Sequence, residues 1–124
     1  MSLLTAAFAV LAIAVALGTV LFVLHLHSDP GGSARWKLAA LHGLLGVGGL
    51  VGLTLALSHP PLRPDQGTAG FDKISVLLLA AAALLGGGIF AVRFAGGSRA
   101  GTLIGIHATI AISGFVILAA YMLV

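Results

Sequence analysis

The chain has 124 residues, of which 60% are hydrophobic and only 7% are charged, and its formal net charge is +3 at neutral pH. Charged side chains make up about a quarter of a typical soluble domain, so this composition excludes a water-soluble fold, and its hydrophobicity excludes a disordered chain. We therefore interpret residues 1–124 as one integral membrane domain, whose few scattered basic residues do not form the cluster that a nucleic-acid-binding surface requires.

Four apolar segments follow one another along the chain, at about residues 3–24, 38–57, 74–92 and 102–124. At 1.5 Å per residue, each is long enough to cross a hydrocarbon core about 30 Å thick. Each must be helical, because lipid offers no hydrogen-bond partner to an exposed backbone group. Short polar connections make consecutive helices antiparallel, so we predict an all-α, up-and-down bundle of four transmembrane helices.

The distribution of Lys and Arg predicts how this bundle is oriented. Four basic residues lie at the first and third connections and two lie at the middle connection: Arg35, Lys37, Arg93 and Arg99, against Arg63 and Lys73. Because positively charged connections stay on the cytoplasmic side, the first and third connections are predicted to be cytoplasmic and both termini to lie outside. A bacterial inner membrane is the expected location.

The second and fourth segments are related by an internal repeat. A shift of 65 residues superimposes His42 on His107 and places Phe90 of the third segment opposite His25 of the first. The superimposed segments run in the same direction, so we predict two parallel repeats of a helical hairpin, related by a pseudo-two-fold axis along the membrane normal. This axis places His42 and His107 at equivalent depth, where they face each other if both point inward.

Small residues follow each of these two histidines on the same helix face. The residues four and seven positions later are Gly46, Gly49, Ala111 and Gly114. At about 100° per residue they lie within about 40° of their histidine, so we predict that they leave room for a flat macrocycle. The alternative is that they serve only close helix packing, which is the usual role of small residues in membrane helices.

A histidine pair at matched depth indicates a cofactor site, because a polar side chain inside the bilayer is costly and marks function by default. A b-type haem would take its two axial nitrogens from His42 and His107, and Arg35, Lys37 and Arg99 would neutralise its propionates. In this layout the chain resembles the membrane-bound b-type cytochromes, in which two histidines ligate haem inside a four-helix bundle. The resemblance implies one-electron transfer, as an oxidoreductase component, to or from a quinol or a partner redox protein. Where members of that family stack two haems, this chain has ligands for one haem b.

Two other interpretations stay open. A non-haem metal site would use His25 together with His42 and His107, since imidazole binds zinc, copper, iron and nickel, although no span contains a carboxylate to balance the metal's charge. A non-enzymatic accessory subunit would instead use its glycine-rich faces to pack against a larger membrane complex. Of the remaining histidines, His27 is expected at the interface and His59 at the outer end of the second span.

Overall fold

The computed structural model describes residues 2–27, 33–58, 70–95 and 101–123. These residues form four α-helices: α1 (Leu3–Leu26), α2 (Ser33–Leu57), α3 (Phe71–Phe94) and α4 (Gly101–Leu123). All four are long and apolar enough to cross a membrane. The predicted all-α bundle of four transmembrane helices is confirmed, and the chain is an integral membrane protein.

Two helices begin earlier than the apolar segments predicted. α2 begins at Ser33 and α3 at Phe71, five and three residues before the predicted starts. Arg35 and Lys37 lie in the first turns of α2, and long basic side chains at a helix end are compatible with a membrane interface. α3 follows Gly70, whose φ of 99° lies in the left-handed region that favours glycine. Hydropathy therefore did not predict these polar helix ends.

The four helices are arranged as a ring in chain order. α1 packs mainly along α2 and α3 mainly along α4, with smaller contacts between α2 and α3 and between α1 and α4. Among the described residues, the backbones of α1 and α3 do not contact each other, and neither do those of α2 and α4. The ring therefore has two diagonals, α1 to α3 and α2 to α4, which only side chains can bridge.

The internal repeat extends to α1 and α3, but with a different offset. Their buried residues are Ala7, Leu11 and Ala14 in α1 and Ser75, Leu79 and Ala82 in α3. These sets are 68 residues apart, whereas the fully buried Leu53 of α2 and Leu118 of α4 are 65 apart. Six residues separate the helices in both hairpins, so the connections are equally long. The difference of three residues lies in the first part of α4, where Leu118 follows the helix start by 17 positions, against 20 positions from Ser33 to Leu53 in α2. A single offset is therefore wrong for the first and third helices, and the residue that corresponds to His25 is Arg93, not Phe90.

The apolar core lies in the half of the bundle that contains the start of α1 and the end of α4. Its buried members are Ala7, Leu11, Leu53, Leu79 and Leu118. The rings of Phe8 and Phe115 stack beside it with centroids 5.1 Å apart, which joins α1 to α4. Both predicted ligand histidines lie outside this cluster, toward the end of the bundle that carries the first and third connections.

Candidate cofactor site

His42 and His107 meet across the diagonal between α2 and α4. Their ring centroids are 6.0 Å apart, and the ring planes are nearly perpendicular at 86°. Each imidazole is partly buried. The structure therefore brings the two sequence-predicted residues together between helices whose backbones do not contact each other.

Each imidazole forms a hydrogen bond to the backbone of the helix that precedes it in its own hairpin. The Nδ1 of His42 lies 2.8 Å from the carbonyl oxygen of Ala14 on α1, and the Nδ1 of His107 lies 2.8 Å from that of Ala82 on α3. A carbonyl oxygen only accepts, so Nδ1 carries the hydrogen, and in a neutral ring Nε2 then keeps its lone pair. Metal-ligating histidines are commonly held in this way, by a hydrogen bond from the nitrogen that does not bind the metal.

A glycine beside each acceptor lets the imidazole lie against the helix backbone. A Cβ added at Gly18 would lie 2.8 Å from Cε1 of His42, and a Cβ at Gly86 would lie 3.0 Å from Cε1 of His107. Each glycine follows its acceptor alanine by four residues, so its own N–H donates to the same carbonyl within the helix. The site thus consists of two equivalent half-sites, each made of a carbonyl, a glycine and a histidine.

Sequence reasoning did not place Gly18 or Gly86 beside the histidines. The signal that could have found them is the 68-residue offset, which aligns Ala14 and Gly18 with Ala82 and Gly86. The 65-residue offset of the second and fourth helices conceals this match.

The two rings are close enough together for both to contact one metal ion. An imidazole nitrogen lies about 2.0–2.1 Å from its metal and about 1.1 Å from its own ring centroid, so two imidazoles that bind one ion have centroids no more than about 6.4 Å apart. The observed separation is 6.0 Å. Among the described residues, no three His, Cys, Asp or Glu side chains lie close enough together to hold a metal. His25 is therefore not placed with the pair as a third ligand.

His25 bridges the other diagonal, nearer the first and third connections. Its Nδ1 accepts a hydrogen bond of 3.2 Å from Nη2 of Arg93, which joins α1 to α3. His25 follows Gly18 by seven residues and Arg93 follows Gly86 by seven, so each lies on the same helix face as its glycine, about 10 Å further along. The histidine pair and the His25–Arg93 pair therefore form two successive polar levels of the bundle.

Of the three basic residues predicted to form a rim, Arg35 contacts α1 one residue before His25. Nη2 of Arg35 donates to the carbonyl oxygen of Leu24, 3.0 Å away, in the last turn of α1. Lys37 is exposed, and the predicted Arg99 lies outside the described residues. Arg35 thus satisfies one of the carbonyls that a helix leaves unpaired at its end.

Aromatic side chains close the contact between α2 and α3 at this end of the bundle. Trp36 stacks on Phe90 with centroids 4.5 Å apart and lies 6.1 Å from Phe94.

His27, at the end of α1, is exposed and bonds through Nδ1 to the carbonyl oxygen of Val23 of its own helix at 2.8 Å, while His59 lies outside the described residues. His27 therefore does not belong to the two polar levels among the described residues.

Two of the four small residues that were predicted to line the slot lie against neighbouring helices. A Cβ at Gly49 would lie 2.7 Å from Cγ of Leu11, and a Cβ at Gly114 would lie 3.1 Å from Cγ of Leu79. These glycines let the two helices of a hairpin approach closely, which is the packing role. In contrast, a Cβ at Gly46 would meet no heavy atom within 4 Å, and Ala111 is partly buried.

Comparisons with family models, with curated proteins and with solved structures find no match to this chain. The chemistry of the site is therefore inferred from its own geometry.

Proposed function

We propose that this chain is a membrane electron-transfer protein that holds one b-type haem between His42 and His107. The observation that carries the proposal is the 6.0 Å separation of the two ring centroids across the bundle. Both Nδ1 atoms are already engaged by backbone carbonyls, so the Nε2 atoms are the nitrogens available to a metal. A neutral donor set of two imidazoles, with no carboxylate, suits a macrocycle that brings its own negative charges.

His42 and His107 would each offer Nε2 to the haem iron, because their Nδ1 atoms are bonded to backbone carbonyls. A haem bound in this way supplies a one-electron couple. The carbonyls of Ala14 and Ala82 would fix the orientation of the rings and increase the basicity of the ligand nitrogens. The apolar core around Leu53 and Leu118 would exclude water from one side of the site. These roles favour electron transfer over catalysis at the metal.

The proposed electron partner is a quinol or a redox protein, which would approach from the end of the bundle with the first and third connections. The proposed location is a bacterial inner membrane with that end in the cytoplasm and both termini outside. Charge supports this orientation, because Arg35, Lys37 and Arg93 lie at the proposed cytoplasmic end. At the opposite end, the first turn of α3 combines Asp72 with Lys73.

A second candidate function is packing as an accessory subunit of a larger membrane complex. Gly87 and Gly88 of α3 are exposed, and a Cβ at either would meet no heavy atom within 4 Å. Such a surface would admit a helix of another chain at close range. This function and the haem are compatible, since the exposed glycines lie outside the histidine site.

An absorption spectrum tests the haem proposal. The protein, purified in detergent from cells supplied with ample haem, is recorded oxidised and reduced by dithionite, and its metal content is measured. We expect a Soret band, the spectrum of a low-spin six-coordinate iron and about one iron per chain. Protein that lacks a Soret band but contains zinc, copper, iron or nickel would support the non-haem metal site, and protein with neither a Soret band nor metal would support the accessory subunit.

A further inference from the structure

The His25–Arg93 pair lies on the same helix faces as the histidine site, about 10 Å nearer the end of the bundle. Arg93 donates to Nδ1 of His25, so the hydrogen of a neutral His25 ring is on Nε2. The guanidinium of Arg93 has five N–H groups and uses one of them in this hydrogen bond. The pair therefore presents only donors, and one positive charge, to any group that approaches it.

The first residue of α4 is a glycine, which leaves space beside the His25–Arg93 pair among the described residues. A Cβ at Gly101, the first residue of α4, would lie 3.9 Å from Nε2 of His25 and would meet no nearer neighbour. The position that the repeat makes equivalent on α2 is Trp36, which is stacked on Phe90. Among the described residues, one side of this level is thus closed by aromatic rings, and the other is open beside a hydrogen-bond donor.

We propose that Arg93 and His25 form a carboxylate receptor for a propionate of the bound haem. This inference rests on the proposed function. It adds Arg93 and His25 to the predicted rim of Arg35, Lys37 and Arg99, of which Arg35 also donates to Leu24. Arg93 lies about two turns beyond Gly86, on the α3 face that contacts the ring of His107. An arginine binds a carboxylate through parallel N–H donors.

The test compares haem with its dimethyl ester, in which both carboxylates are blocked. Each ligand is titrated into the detergent-purified full-length apoprotein, and binding is followed through the Soret band. We expect the wild-type protein to bind haem about tenfold more tightly than the ester. Arg93→Gln should weaken haem binding to the level of the ester and leave ester binding unchanged. The low-spin spectrum should persist in both, because the axial ligands are untouched.

Two further variants separate charge from folding. Arg93→Lys keeps the cation and should keep part of the preference for haem over the ester. Lys73→Gln removes a cation from the opposite end of the same helix and should leave both affinities unchanged. The inference is overturned if wild-type protein binds haem and ester equally, or if Arg93→Gln weakens both alike. If wild-type protein binds neither, the proposed function itself fails.

Discussion

The imidazole of His42 lies against the backbone of Gly18, so that a Cβ at position 18 would come within 2.8 Å of Cε1. The same ring donates its Nδ1 hydrogen to Ala14, one turn earlier on α1. Contact and hydrogen bond together mean that this ring orientation requires a residue without a side chain at position 18. His107 repeats the arrangement with Gly86 and Ala82.

Substitution of these glycines by alanine should therefore displace the histidines. Relative to an uncrowded glycine of the same helices, Gly18→Ala should destabilise the protein by about 1–2 kcal/mol, because the ring must move and its hydrogen bond weakens. Gly86→Ala should cost less, since its contact of 3.0 Å is less severe. The measurement is the free energy of unfolding in detergent, with the nitrogen NMR shifts of the two imidazoles as a local probe.

Gly87→Ala is the matched control for Gly86→Ala. Its Cβ would meet no heavy atom within 4 Å, so alanine should be neutral or stabilising by up to about 1 kcal/mol through helix propensity. Equal effects at positions 86 and 87 would contradict the assigned role of Gly86.

Substitutions at Gly49 and Gly46 distinguish a role in helix packing from a role in the predicted macrocycle slot. Gly49→Ala should destabilise the protein by about 1–3 kcal/mol, with or without haem, because the new Cβ overpacks against Leu11. Gly46→Ala should leave the unfolding free energy of the apoprotein nearly unchanged, since its Cβ would meet no heavy atom within 4 Å, and the bulkier Gly46→Leu should weaken haem binding. Unfolding measurements on the apoprotein and haem titrations distinguish the two. Unchanged haem affinity in Gly46→Leu would remove Gly46 from the slot.

The sequence predicted some of these features and missed others for identifiable reasons. The four spans were predictable because lipid requires long apolar helices, and the meeting of His42 with His107 was predicted from their alignment in the repeat. Gly18 and the correspondence of Arg93 with His25 were missed. The first part of α4 is three residues shorter than the first part of α2, so one offset could not align both pairs of helices. The close contacts of Gly49 with Leu11 also depend on how two helices approach, which spacing along one helix does not determine.

The orientation is tested by reporter fusions at the C-terminus. We expect a reporter that is active only outside the cytoplasm to be active, and a cytoplasmic reporter to be silent, because Arg35, Lys37 and Arg93 mark the opposite end as cytoplasmic. The reverse pattern would place the histidine pair near the outer surface. A fusion in the middle connection should behave like the C-terminal fusion.

The most direct test of the central claim, that His42 and His107 ligate the same iron, is the spin state of single-alanine variants. His42→Ala and His107→Ala should each lose haem, or retain it as a high-spin form that binds carbon monoxide, because each removes one axial nitrogen. His27→Ala, which alters an exposed ring bonded to its own helix, should keep the wild-type low-spin spectrum. The claim is contradicted if His107→Ala stays low-spin and six-coordinate while His25→Ala does not.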